Sequence, residues 1–267
     1  MARPIERGEF AGVPFAAVGT GRPLVVLPGL SPATGVAGDQ LVRSSFGPVR
    51  KLAGRRRLVL LNRWPGLPAD LTMPMLARRH ADAIRIGFGG EPVDVIGSST
   101  GGSIAQHLAA EHPDVVRRLV LMSTACRLGP VGRDDQARMA ELLRAGATRA
   151  ACRCAGADLM PRPLRPIGAA AGWLGANRLL SAPGAAADLL ATLDAEDAFD
   201  LAACDGRIGA PTLIVAGGRD RFYSRELFER TRDLIPGSRL YVRPRRGHVT
   251  VAFDPKAVAV VQAFLTG

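Results

Sequence analysis

Hydrophobic residues fall in this chain as short, nearly unbroken runs, separated by longer stretches in which they recur every three or four positions. Six runs stand out: Leu24 to Leu27, Leu58 to Leu61, Val93 to Ile96, Leu119 to Met122, Thr212 to Ala216 and Leu240 to Val242. The first five stop at Pro28-Gly29, at Asn62 to Gly66, at Gly97, at Ser123-Thr124 and at Gly217-Gly218. Several apolar residues in succession are what a strand buried on both faces requires. Their alternation with helical spacing predicts βα units around a parallel sheet, hence an α/β fold. Val13 to Val18 predicts an additional strand, forming an antiparallel edge pair across the Gly19-Thr20-Gly21 turn.

The intervening stretches predict helices over Pro74 to Ile86, Ser103 to Ala110, Ser224 to Leu234 and Asp254 to Leu265. Ser224 suits an N-cap, and Asp254-Pro255 is an N-cap followed by proline at the first helical position. Between about Arg127 and Asp205 the rhythm breaks. No strand pattern occurs there, Ala, Leu and Arg dominate at helical spacing, and prolines interrupt at 161, 163 and 166. This segment reads as a helical cap inserted over the sheet, or else as extra helices packed beside the core. The expected organisation is a core formed by 1–126 and 206–267, with the insertion at 127–205.

Composition changes this picture little. With 47% hydrophobic and 22% charged residues, the chain is an ordinary globular one. Its net charge of +11 raises the question of nucleic acid. Yet nearly all the cations are arginines spread along the chain, with Lys51 and Lys256 the only lysines, and no phosphate footprint emerges. The densest run, Arg55-Arg56-Arg57, reads as a solvated loop. Met1 to Arg7 lacks the apolar core of a secretory leader, and no stretch reaches the roughly 20 apolar residues of a membrane span. The expectation is a cytoplasmic protein acting on a small molecule, with neither nucleic acid nor a membrane span. Cys126, Cys152, Cys154 and Cys204 read as reduced thiols. Cys152-Arg-Cys154 has no further ligands at metal-binding spacing, so no metal or organic cofactor is expected.

The chemistry concentrates at the strand ends. Gly97-Ser98-Ser99-Thr100-Gly101-Gly102 matches G-x-S-x-G between a strand and a helix. A serine raised on so sharp a turn takes strained backbone angles, and side chains two positions to either side would collide. Gly97 and Gly101 remove them, and Gly102 lets the helix approach the sheet. The Thr100 N–H, at a helix N-terminus, suits a developing oxyanion. A phosphate-binding turn fits less well, because no P-loop lysine follows and G-x-G-x-x-G is absent.

A serine hydroxyl needs a base, and the base needs an orienting group. His80, His107 and His112 fall in or at the end of helical stretches and read as surface or helix-end residues. His248 sits in a loop just past the last strand, where it can lean over the sheet edge. For the carboxylate, Asp220 follows the fifth strand, while Asp200, Asp205 and Asp254 compete. Asp94 reads as structural. A second oxyanion donor is expected from the loop after the first parallel strand, at the Leu30 N–H.

Taken together, Pro92 to Gln106, Pro211 to Asp220 and Ile235 to Ser238 resemble the α/β-hydrolase family, particularly its small capped esterases and C–C hydrolases. The resemblance covers the chain outside the insertion and implies a three-layer α/β/α sandwich with a mostly parallel sheet. It implies Ser99 as nucleophile, Asp220 as orienter and His248 as base, with Leu30 and Thr100 as oxyanion donors. This chain departs from many members in having Pro28-Gly29 in place of His-Gly, and Ser98 where His or Tyr precedes the nucleophile. Members with an Asp nucleophile are disfavoured by Ser99. The leading expectation is hydrolysis of a carboxylic ester with a small, largely apolar substrate. A C–C hydrolase or lactonase, a cofactor-free perhydrolase or acyl transferase, and a non-catalytic binding module are the alternatives. Met160, Leu164, Trp173 and Leu174 are read as cavity walls or plain core.

Overall fold

The computed structural model describes residues 4–160 and 162–266; Met1 to Arg3, Pro161 and Gly267, which enter the leader, proline and boundary readings above, lie outside them. Among the described residues, eight strands form one sheet: β1 (Glu6–Phe10), β2 (Val13–Val18), β3 (Arg22–Leu27), β4 (Arg56–Leu61), β5 (Val93–Ser98), β6 (Val116–Met122), β7 (Thr212–Gly217) and β8 (Arg239–Arg243). Their spatial order is β1-β2-β4-β3-β5-β6-β7-β8, antiparallel at β1–β2 and β2–β4 and parallel thereafter.

The apolar runs are runs because both faces of the sheet are covered. In β3, Val25 and Leu27 join one core while Leu24 and Val26 join the other; Leu119 and Leu121 divide from Val120 and Met122 in the same way along β6. One face carries α2 (Met73–Gly87), α3 (Thr100–Glu111) and α8 (Arg225–Leu234); the opposite face carries α1 (Asp39–Ser45) and α9 (Pro255–Thr266). The result is a three-layer α/β/α sandwich. No helix of the described residues is long and apolar enough to cross a membrane.

Two expectations are corrected. Val13–Val18 does not pair with the strand following the Gly19-Thr20-Gly21 turn. It pairs with β1 and with β4, Phe15 lying opposite Leu61, because both edges of β3 are already taken by β4 and β5. Gly19 (φ +87°) packs so closely that a Cβ would lie 2.5 Å from the carbonyl oxygens of Ala53 and Arg56, so the turn carries the chain past β4. Second, Arg55-Arg56-Arg57 is not simply a solvated loop. Arg56 opens β4 and is buried against Asp94, which is fully buried and also paired with Arg117.

Between β6 and β7 the described chain carries helices joined by loops and no strand: α4 (Pro130–Arg144), α5 (Thr148–Asp158), α6 (Arg165–Leu179) and α7 (Ala185–Asp197). Met139, Leu143, Ala151, Leu189 and Leu193 form a small core of their own, and Leu30 packs against it from the sheet's rim.

Candidate active site

Ser99 stands between β5 and α3 with φ 51° and ψ −125°, the strained, left-handed geometry that the flanking glycines predict. A Cβ at Gly97 would lie 2.5 Å from the Gly101 carbonyl oxygen, and one at Gly101 would lie 2.3 Å from that of Leu27. No larger residue fits either position. Thr100 is the first residue of α3, so its N–H has no acceptor within the helix.

His248 arrives from the loop after β8. Its Nε2 lies 3.0 Å from Ser99 Oγ and its Nδ1 lies 2.9 Å from Asp220 Oδ2. Asp220, from the loop after β7, has a fully buried side chain. Its other oxygen accepts the backbone N–H groups of Phe222 (2.9 Å) and Tyr223 (3.3 Å), which fixes the carboxylate's orientation. The rings of Phe222 and Tyr223 lie 4.7 Å and 5.9 Å from the imidazole. Ser123, itself at φ 52°, donates its hydroxyl to the His248 carbonyl oxygen at 2.6 Å. Nothing in its short sequence context marks Ser123 for that task.

The competing carboxylates are engaged elsewhere. Asp254 caps α9 through the N–H groups of Lys256 and Ala257 and accepts from Arg246 and Arg243. Burial opposes its ionisation, but the two guanidiniums hold its carboxyl below the ordinary range. Asp200 caps the turn at Leu201–Ala203 and faces Arg127, and Asp205 neighbours Cys204.

The histidine reading needs correction at two positions. His112 does end α3, but His80 and His107 are buried rather than superficial. The Nδ1–H of His80 donates to the Leu76 carbonyl oxygen at 2.7 Å, one turn earlier in α2, and burial pushes the ring's pKa down to about 4, so it is a neutral donor there. His107 contacts Glu111 and the Cys204 sulfur. Those three residues bring ligand atoms within 4.8 Å of one another. Burial raises the Cys204 thiol to about 11, however, with nearby carboxylates adding to it, which keeps the thiolate scarce.

Ser99 and His248 open onto a cavity of about 530 Å³. Its floor includes Leu30, Thr100 and Met122, and α4 and α5 contribute Met139, Cys152 and Asp158. Gly29 passes so near the nucleophile that a Cβ there would lie 3.3 Å from that of Ser99. Leu30 and Thr100 therefore border the same space as the hydroxyl. The four suggested wall residues do not. Met160, Leu164, Trp173 and Leu174 are 39%, 45%, 42% and 82% exposed, and they belong to neither cavity nor core.

Sequence reasoning missed a buried polar cluster beneath the nucleophile. Glu196 of α7 accepts the hydroxyl of Thr100 at 2.6 Å, that of Ser103 at 3.3 Å and the amide of Gln136 at 3.1 Å. Burial raises its pKa, and these hydrogen bonds oppose the rise. Only the periodicity Asp188, Thr192, Glu196 hinted at it: polar residues four apart share one helix face.

A family model described as the alpha/beta hydrolase fold matches residues 62–255. A pimeloyl-[acyl-carrier protein] methyl ester esterase of Neisseria meningitidis serogroup C is 28% identical over 211 residues, spanning 74% of this chain and 81% of the relative. Among solved structures, the enol-lactonase of Burkholderia xenovorans LB400 superposes with a TM-score of 0.77 at 18% identity, covering 98% of this chain and all of the other (100%). The 2-hydroxy-6-oxo-6-phenylhexa-2,4-dienoate hydrolase of Rhodococcus sp. strain RHA1 gives 0.75 at 16% identity, over 99% of both chains. At these identities the structural likeness concerns the fold alone.

Proposed function

The chain belongs to the α/β-hydrolase fold family, and from that premise we propose that it is a serine hydrolase cleaving a carboxylic ester of a small, largely apolar substrate. The observation that carries the reading is the unbroken relay from Ser99 Oγ through His248 to Asp220, facing a cavity of about 530 Å³. Asp220 accepts from His248 Nδ1, which leaves Nε2 free to take the Ser99 proton. Ser99 Oγ then forms a bond to the ester carbonyl carbon, and the carbonyl oxygen takes the negative charge. The Leu30 and Thr100 N–H groups stabilise that oxyanion. The protonated imidazole passes its proton to the leaving alcohol, and a water activated by the same imidazole releases the acid from the acyl-enzyme.

Residues 127–205 act in this reading as a cap whose apolar side chains receive the acyl or alcohol group. The relative that hydrolyses a methyl ester on an acyl-carrier protein puts carrier-linked methyl esters among the substrates to test. The four free cysteines support a cytoplasmic location.

Turnover of p-nitrophenyl esters by wild type and Ser99→Ala tests the proposal. Losing the nucleophile lowers kcat by several powers of ten, and a fluorophosphonate labels wild type but not the variant. Equal turnover by both proteins sinks the reading. Lactones, C–C substrates and peroxide as acceptor, run in parallel, separate the chemistries that the same three residues serve.

A further inference from the structure

α7 carries Asp188, Thr192 and Glu196, all buried and spaced four residues apart on one helical face. Each reaches a different part of the catalytic rim. Asp188 accepts the N–H groups of Leu67 at 2.7 Å and Gly66 at 3.1 Å, in the loop after β4. Thr192 accepts from Arg63, whose other nitrogen donates to the Ser31 carbonyl oxygen, directly after Leu30. Glu196 holds the hydroxyls of Thr100 and Ser103 in the first turn of α3 and draws in Gln136 from α4. One helix face is thus hydrogen-bonded to both loops that flank the nucleophile.

We infer that Glu196 is a positioning residue for the oxyanion hole, holding Thr100 through its hydroxyl while Arg63 and Thr192 hold the Leu30-Ser31 loop, so that α7 is a fixed buttress of the catalytic floor. This rests on the ester-hydrolase reading above. An oxyanion donor is useful only if its N–H is already aimed where charge will develop, and a Thr100 side chain anchored to a buried carboxyl restrains the backbone that carries that N–H. Were α7 a mobile lid, each opening would strip buried donors and acceptors of their partners.

The test compares kcat and KM for a p-nitrophenyl ester among Glu196→Ala, Glu196→Gln, Thr100→Val, the double variant Glu196→Ala/Thr100→Val, and Leu193→Ala. Direct removal of an oxyanion donor costs about 10²–10³ in kcat; displacement of one through its support should cost about ten- to a hundredfold. The expected result is that drop in Glu196→Ala, with KM within about twofold of wild type. Glutamine keeps one acceptor oxygen, and the hydroxyls can turn to accept its amide, so Glu196→Gln stays within roughly threefold of wild type. Thr100→Val reproduces the loss, and the double variant adds little, as coupled residues require.

Leu193, buried on the same helix in the apolar cluster, is the packing control. Its truncation lowers the melting temperature and leaves kcat near wild type. The inference is overturned if Glu196→Ala keeps its kcat, if Leu193→Ala loses as much, or if the losses at Glu196 and Thr100 add independently. Should Glu196→Ala fail to fold, full kcat in Thr100→Val overturns it equally. Ser99→Ala separates the two claims: turnover without Ser99 sinks the hydrolase reading, whereas turnover lost with Ser99 but kept without Glu196 sinks the positioning role alone.

Discussion

Asp220 divides its two oxygens between the imidazole and the backbone of its own loop, and that division predicts how a conservative change behaves. Asparagine keeps an acceptor for the Phe222 and Tyr223 N–H groups but offers an amide where Nδ1–H requires an oxygen. Asp220→Asn should therefore melt within a few degrees of wild type while kcat falls by about 10³–10⁴, through the wrong imidazole tautomer; steady-state kinetics beside thermal melting checks this. His80 makes the stability of the fold depend on pH. Its folded pKa is about 4, depressed mainly by burial, against about 6.5 in an unfolded chain. The unfolded state then binds the proton more readily between those values. The stabilisation is full above pH 6.5 and is lost as pH falls toward 4, by up to about 3 kcal/mol. Chemical denaturation of wild type and His80→Leu at pH 7.5 and 4.5 measures it: wild type should lose more stability over that interval than the variant, and parallel losses would remove His80 as the cause. Nothing in the spacing of His80 distinguished a buried helix histidine from an exposed one, because burial depends on what α2 packs against.

The helices between β6 and β7 differ in how they are fixed. α7 is pinned by buried polar contacts that, left unpaired, would cost about 1–3 kcal/mol each. α5 and α6 are instead packed through glycine: a Cβ at Gly172 would lie 2.1 Å from the Cys152 carbonyl oxygen, and one at Gly156 would lie 2.2 Å from that of Gly168. Leu174 and Ile167 of α6 point to solvent. Gly172→Val should force α6 away from α5 and reshape the cavity wall to which Gly172 and Cys152 both belong. The expected outcome is a KM for long-chain esters raised several-fold while kcat for an acetate ester changes little; unchanged KM across chain lengths would show that the α5–α6 pair does not contact the acyl group. Existence of these elements was legible from periodicity, and so was Ser224 as an N-cap, which accepts the Leu227 N–H. Their orientation was not legible. The apolar residues of α6 gave no sign of which side would face the cavity, since a helix with Ala, Gly and Leu all round has no preferred face.

Across the whole molecule the cavity is bounded by the sheet's rim below and by α4, α5 and α6 above, so the size of the group it admits is set by both parts together. Each buried methylene contributes about 0.8 kcal/mol. kcat/KM along a p-nitrophenyl ester series should thus rise up to about fourfold per carbon until the cavity is filled, then fall; a flat profile from acetate to decanoate would mean the acyl chain lies outside it. The strand rhythm, the elbow around Ser99 and the order of Ser99, Asp220 and His248 could be read from the chain alone, because each depends on residues near one another: apolar runs, glycines beside a strained serine, loops at strand ends. Other features depend on partners far away in sequence. The placement of β2 beside β4, the burial of Arg56 against Asp94, and the contact of Glu196 with Thr100 across 96 positions exist only once the sheet has brought those stretches together. Local sterics and hydrophobic periodicity are written residue by residue, whereas a buried polar contact acquires its partner, and its low-dielectric surroundings, from the fold.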